Sequence, residues 1–236
     1  MISFRNIFKP NTKKNTSLKA SLNKILGYTP KNLYYYIKAF THGSTNQKDS
    51  FGNSINYERL EYVGDAILSA VIAHYLFEKV LGADEGYLTK MRSKIVSREH
   101  LNAIGKELGL SDFLSTKIPI NQFGDNIHGN LLEALIGAVF LDKGYTASEK
   151  FIYKSVINPH VDIGLLEGKV ISYKGLVIEW CQKEKKKFNF ESQKDVGQDL
   201  LKHFSVKLFI DGKAIAKARA TSKKKAEEKV SKRAYF

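Results

Sequence analysis

Residues Asn56–Leu68, NYERLEYVGDAIL, place three carboxylates on one side of a strongly apolar helix pattern. Glu58, Glu61 and Asp65 are spaced by three, four and seven residues, which at about 3.6 residues per turn stacks them on one stripe. Leu60, Ile67, Leu68 and Val71 form the adjoining apolar stripe, widened by Val63 and Ile72. Clustered carboxylates repel, and taking each from water is costly unless a cation compensates. Two kinds of partner satisfy that demand: Arg59 or another basic group in a salt-bridge network, or a divalent metal ion held by oxygen ligands.

A second segment, His128–Leu141, HGNLLEALIGAVFL, is another apolar helix pattern, and it carries Asn130 and Glu133 as surface neighbours three residues apart. Two such helices facing one another would bring their oxygen ligands to a common site. Gly64 and Gly137 lie one turn from Glu61 and Glu133. A glycine inside a helix costs about 1 kcal/mol relative to alanine. Either close approach of two backbones or a local packing need accounts for it.

These residues carry a resemblance. ERLEYVGDAIL resembles the signature of the ribonuclease III family, GNLLEAL resembles that family's second acidic motif, and Thr41-His42 resembles its N-terminal helix motif. The resemblance runs from about residue 20 to the end of the chain. It implies two acidic motifs on facing helices that bind Mg2+, with Mn2+ as a substitute, and water attack on a phosphodiester of double-stranded RNA. By motif position Glu61, Asn130 and Glu133 are the implied metal ligands. Asp65 and Glu133 are the implied catalytic carboxylates, Glu58 is an accessory acid, and Tyr62 is an aromatic dimer contact that inserts into the partner subunit. Two positions depart from the pattern. Asn130 stands where the family has aspartate; an amide oxygen can still coordinate magnesium or hold a metal-bound water but brings no charge, so weaker metal binding is expected, not a different reaction. Gly43 stands where arginine commonly follows the Thr-His pair.

Composition points to a polyanionic partner independently. The 236 residues carry 38 Lys+Arg against 24 Asp+Glu, a net charge of +14. Residues 1–30 hold six basic and no acidic residues, residues 31–170 hold 15 and 16, and residues 171–236 hold 17 and 8. Acid chemistry and electrostatic grip therefore fall in different segments. With 43% hydrophobic residues there is ample material for a core. The helical period persists from about Leu18 to Asn158, broken at glycine- and proline-rich turns, and Pro159–Gly168 reads as a linker. The expected organisation is a basic N-terminal extension (1–17), an all-α ribonuclease III catalytic domain (18–158), a linker (159–170) and an α+β double-stranded RNA-binding domain (171–236). The extension reads as a basic arm touching RNA or as a frayed terminus.

In the last domain the period changes. Tyr173–Glu184 reads as a helix, Phe188–Gln193 and Phe204–Ile210 as strands, Asp211-Gly212 as a hairpin turn, and Lys213–Ala220 as a third strand. Ser222 is positioned to cap a final helix reaching about Tyr235, giving the order α-β-β-β-α. Lys223, Lys224 and Lys225 crowd the first turn of that helix, where the dipole disfavours them by about 0.3–1 kcal/mol each unless an anion binds. A solvated lysine-rich helix end is the alternative. The order and the lysine cluster resemble a double-stranded RNA-binding domain, and Lys174, Glu179, Gln182 and His203 are the further RNA contacts that the resemblance implies. The loop before His203 departs from the usual pattern, reading Gly197-Gln198-Asp199.

The lone Cys181 excludes an intrachain disulfide and fits a reducing cytoplasm. No apolar run is read as approaching the roughly 20 residues of a membrane span. No histidine pair has zinc-ligand spacing, and no Ser-His-Asp or phosphate-cradling glycine motif occurs. The function that the resemblance implies is a metal-dependent endoribonuclease acting on double-stranded RNA as a homodimer, in ribosomal and other RNA processing, leaving 5′-phosphate and 3′-hydroxyl ends. The rival expectations are an RNA-binding protein with weak or lost cleavage, motivated by Asn130, and a helical enzyme using magnesium on a diphosphate, which leaves the basic C-terminal domain without a role.

Overall fold

The structure is a computed structural model that describes residues 12–119, 122–124, 126–167, 172–195 and 203–236. The chain divides into two compact units, Met1–Lys169 and Val170–Phe236.

The first unit is helical: α1 (Thr12–Leu26), α2 (Leu33–Ala39), α3 (Glu58–Lys79), α4 (Glu85–Ile95), α5 (Arg98–Glu107), α6 (Asn126–Lys143), α7 (Tyr145–Ile152), α8 (Asn158–His160) and α9 (Ile163–Glu167), with a π-helical stretch between α7 and α8. Its axis is α6, a mostly apolar and mostly buried helix, with Leu131, Leu132, Leu135, Ile136 and Val139 all fully buried. Asp142, near the end of α6, accepts hydrogen bonds from the backbone N–H groups of Lys31 and Asn32 and from the Tyr36 hydroxyl, which ties the start of α2 to the same helix. Local signals set the other helix starts: Asn32, Asp84 and Ser97 each accept a backbone N–H of their own first turn.

Three expectations gain detail. Helix α1 begins at Thr12, inside the basic N-terminal extension expected at 1–17; residues 1–11 lie outside the described residues. Segment 159–167 is not a free linker. It forms part of α8 and all of α9, Leu166 packs into the helical core, and buried Lys94 donates from Nζ to the carbonyls of Leu166 (2.6 Å) and Glu167 (2.8 Å), capping the last turn of α9. Finally, α3 is long and apolar enough, by length and composition, to cross a membrane. Here its apolar stripe, Leu68, Val71, Ile72 and Leu76, is buried in the helical core instead.

The second unit has the order α10 (Tyr173–Lys183), β1 (Phe188–Asp195), β2 (His203–Ile210), β3 (Lys213–Ala220) and α11 (Lys223–Tyr235). The strands form an antiparallel sheet in sequence order, pairing Phe188 with Ile210 and Phe204 with Ala220. Val206, Leu208 and Ala218 alternate onto the face covered by Val177 and Cys181 of α10 and by Ala226 and Val230 of α11. Asp211 (φ 49°) and Gly212 (φ 77°) make the hairpin turn with both residues in the left-handed region, as a two-residue loop matched to strand twist requires. The Glu228 carboxylate receives Ser172 Oγ and the backbone N–H groups of Tyr173 and Lys174, so α11 caps the start of α10.

Candidate active site

Glycine sets the geometry of the site. A Cβ on Gly64 would lie 1.7 Å from the carbonyl oxygen of Glu133, and one on Gly137 would lie 2.2 Å from that of Leu60. The backbones of α3 and α6 therefore touch, and of the two explanations for these glycines the close approach is the one realised. On the other side of α6, a Cβ on Gly105 would lie 2.1 Å from the His128 carbonyl oxygen, and Asn102 Oδ1 accepts the Gly129 N–H at 2.8 Å. The central helix is thus gripped by α3 and α5 at the same end.

That grip encloses a cavity of about 570 Å³ lined by Glu58, Glu61, Tyr62 and Asp65 of α3, by Asn130 and Glu133 of α6, and by Arg98 and Leu101 of α5, with Val96 and Gly129. All five oxygen-bearing residues expected at the site converge there, as does Tyr62. Burial pushes the Glu133 carboxyl up to about 7; the charges of Asp65 and Glu61 add to the rise and Arg98 opposes it. Glu61 is also raised, by burial first, with Glu58 and Asp65 adding and Arg98 opposing. Burial raises the Tyr57 hydroxyl as well; Asn130 beside it opposes the rise, and the charges of Glu61 and Glu58 add to it.

Arg59, the basic neighbour considered as a counter-ion, forms no ion pair with these acids among the described residues; the cation facing them is Arg98. Sequence reasoning missed Arg98 because nothing local marks it: it follows the helix cap Ser97, and only the α5–α6 contact turns it toward the acids. The Thr41-His42 pair is a brace. Thr41 is buried and its carbonyl accepts the Tyr57 N–H (2.9 Å), while the His42 ring packs on Phe123 and Tyr57, which fixes the chain where α3 begins. Gly43 lies beside Glu58, 3.8 Å from its Oε1 to an ideal Cβ, so position 43 brings no cation to the acids from that side.

Among the described residues, no three Asp, Glu, His or Cys side chains stand ready as a metal-ligating cluster. The donor set still fits a magnesium-like ion, which keeps several of its own waters and needs only one or two direct carboxylates. Oxygen donors dominate the polar wall, and the burial that raises Glu133 and Glu61, with the repulsion of neighbouring carboxylates added to it, is the condition a bound cation relieves.

In the second unit, Lys223, Lys224 and Lys225 are exposed at the start of α11, where Ser222 Oγ accepts the Lys225 N–H (3.2 Å). Glu179 and Gln182 are exposed on α10. Lys174 is committed within the domain: its Nζ pairs with Glu227 at 2.7 Å and lies over the Phe190 ring. His203 opens β2 and not the preceding loop; its side chain and residues 196–202 lie outside the described residues.

A helical domain with an acid-lined cavity, followed by an α-β-β-β-α domain with lysines at a helix start, is the arrangement expected of an endonuclease of double-stranded RNA. Residues 33–160 match the ribonuclease-III-like family model and residues 173–235 match the double-stranded RNA binding motif. The chain belongs to the ribonuclease III family. It is 60% identical over 236 residues to ribonuclease 3 of Zunongwangia profunda, covering all of this chain and 97% of that protein. It is 61% identical over 217 residues to ribonuclease 3 of Flavobacterium psychrophilum, covering 92% and 88%. Among solved structures, the nuclease domain of ribonuclease III from Campylobacter jejuni superposes with a TM-score of 0.52 at 31% identity, covering 58% of this chain and 94% of that one; that structure concerns flexibility in a region involved in dimer formation.

Proposed function

We propose that this endoribonuclease is metal-dependent and cuts double-stranded RNA as a homodimer, leaving 5′-phosphate and 3′-hydroxyl ends, with ribosomal RNA precursors among its substrates. The observation that carries the reading is the convergence of Glu58, Glu61, Asp65, Asn130 and Glu133 on one cavity from two helices in backbone contact. Glu61, Glu133 and Asn130 would hold Mg2+ or Mn2+. The bound ion would supply a water of lowered pKa and charge neutralisation at the scissile phosphate. Asp65 and Glu133 orient the attacking water through their carboxylates, and Glu58, hydrogen-bonded by the Asn56 amide at 3.2 Å, supports the rim. The exposed apolar groups of α3, Tyr62 (80% accessible) and Phe77 (71%), support a partner subunit on that helix. Two cavities related by a two-fold axis match the two antiparallel strands of a duplex. Lys223, Lys224 and Lys225 would bind phosphates, with Glu179, Gln182 and His203 nearer the minor groove and Lys174 helping to hold the two helices together.

The test is cleavage of a long RNA duplex with Mg2+, with Mn2+ and with chelator, for the parent chain and Glu133→Gln. Cutting that requires metal, with Glu133→Gln binding the duplex but leaving it intact, is the expected result. Binding without cutting under either metal would instead establish the RNA-binding reading that Asn130 motivates.

A further inference from the structure

Arg98 is the cation that faces the acids of the cavity. It is the only basic residue among those lining the cavity. Its side chain is exposed, and it makes no hydrogen bond or ion pair among the described residues, although its charge is felt at both Glu61 and Glu133. Its place is rigid. Ser97 Oγ accepts the His100 N–H and caps α5, and the Gly105–His128 and Asn102–Gly129 contacts lock α5 against α6.

Two roles suit a cation carried by an anchored helix at the wall of an acidic cavity: counter-ion to the carboxylates, or ligand for an incoming anion. A counter-ion gains most from a close, bidentate carboxylate pair, and Arg98 forms none among the described residues. Meanwhile four carboxylates repel an approaching phosphodiester, and Gly43 contributes no side chain from the Glu58 side. A guanidinium offers five donors in a planar fork that matches two phosphate oxygens and stays charged at any working pH.

We propose that Arg98 is a substrate-contacting residue whose guanidinium binds a phosphate of the RNA strand lying in the cavity. This rests on the nuclease reading of that cavity. The contact is made in the ground state and kept during cutting, so it contributes to binding more than to turnover.

The experiment uses the full chain, a defined RNA duplex and three forms: parent, Arg98→Ala and Arg98→Lys. Duplex affinity is measured in chelator, where nothing is cut, across a salt series. Removing one phosphate contact lowers the log–log salt slope by about 0.9, so Arg98→Ala is expected to lower it by about one per occupied cavity. Arg98→Lys, which keeps a point charge, retains the slope. With divalent metal, Arg98→Ala raises KM about ten-fold, as loss of a charged hydrogen bond does, with kcat less affected. An unchanged slope and KM would overturn the proposal. So would an unchanged slope accompanied by a lower Mn2+ concentration for half-maximal thermal shift, which would make Arg98 a counter-ion. A fall in thermal midpoint shared by both variants, with no change in slope, would make it structural and overturn the proposal equally. Should the parent chain bind the duplex yet cut with neither metal, the nuclease reading fails, while the salt slope still decides whether Arg98 meets phosphate.

Discussion

At the scale of single residues, the cavity trades stability for chemistry, and Glu133 is where the trade is largest. Its carboxyl ionises near 7 in the folded chain against an ordinary 4.5, so the native state holds the proton more tightly than the unfolded state. Stability from this group is therefore full below about pH 4.5, declines between 4.5 and 7, and is lost above 7. In chelator, Glu133→Gln should melt at a higher temperature than the parent at pH 7.5, with the gap closing toward pH 5; scanning calorimetry across that range checks it. A gap that grew toward low pH would contradict the assignment. Asn130 poses the opposite question, a missing charge. Asn130→Asp should lower the Mg2+ concentration for half-maximal cutting several-fold, since a carboxylate binds the ion more tightly than an amide. A metal titration with unchanged midpoint would show that charge at position 130 does not set metal affinity.

Between elements, the decisive contact is α3 on α6. Glycine was legible as a cost in the sequence, but whether it served contact or local packing depended on what lay opposite, which no spacing reveals. The ideal Cβ positions answer this: Gly64→Ala or Gly137→Ala would drive a methyl group into a carbonyl oxygen that belongs to a helix backbone and cannot rotate away. Each should cost more than about 3 kcal/mol, at the upper end of overpacking effects, and reduce cutting by shifting Glu61 against Glu133. Gly124→Ala is the control, because nothing lies within 4 Å of its Cβ position; chemical denaturation of the three variants should separate them clearly. The short helix α9 teaches a related lesson. Its segment read as a linker for want of a long apolar period, yet Leu166 and the capping Lys94 recruit it to the helical unit. A five-residue helix carries too little pattern to be seen, and its partner lies 72 residues away.

Across the whole molecule, the two units divide the work that the charge distribution suggested. Replacing Lys223, Lys224 and Lys225 together by alanine should weaken duplex binding and lower its salt slope by up to about three, at about 0.9 per contact, while leaving the thermal transition of the helical unit unmoved. Retention of the full slope would mean that these lysines are a solvated helix end. Assembly belongs to this scale as well. Tyr62→Ala removes the most exposed ring beside the cavity and should shift sedimentation of the chain from dimer toward monomer at micromolar concentration. A monomer that cuts only one strand of a duplex would follow from that shift; unchanged sedimentation would place the partner surface elsewhere.

Which helices carry the acids, the order α-β-β-β-α with its turn at Asp211-Gly212, and the family are all legible in the linear chain, because periodicity, turn chemistry and a dense motif are local properties. Folding in three dimensions is what brings the backbones at Gly64 and Gly137 into contact, turns Arg98 and not Arg59 to the acids, commits Lys174 to Glu227 and adds α9 to the helical unit. The reason is the same in each case. The free energy of these groups is set by atoms distant in sequence, through close packing, Coulomb interaction and burial, and none of those is written in the spacing of neighbouring residues.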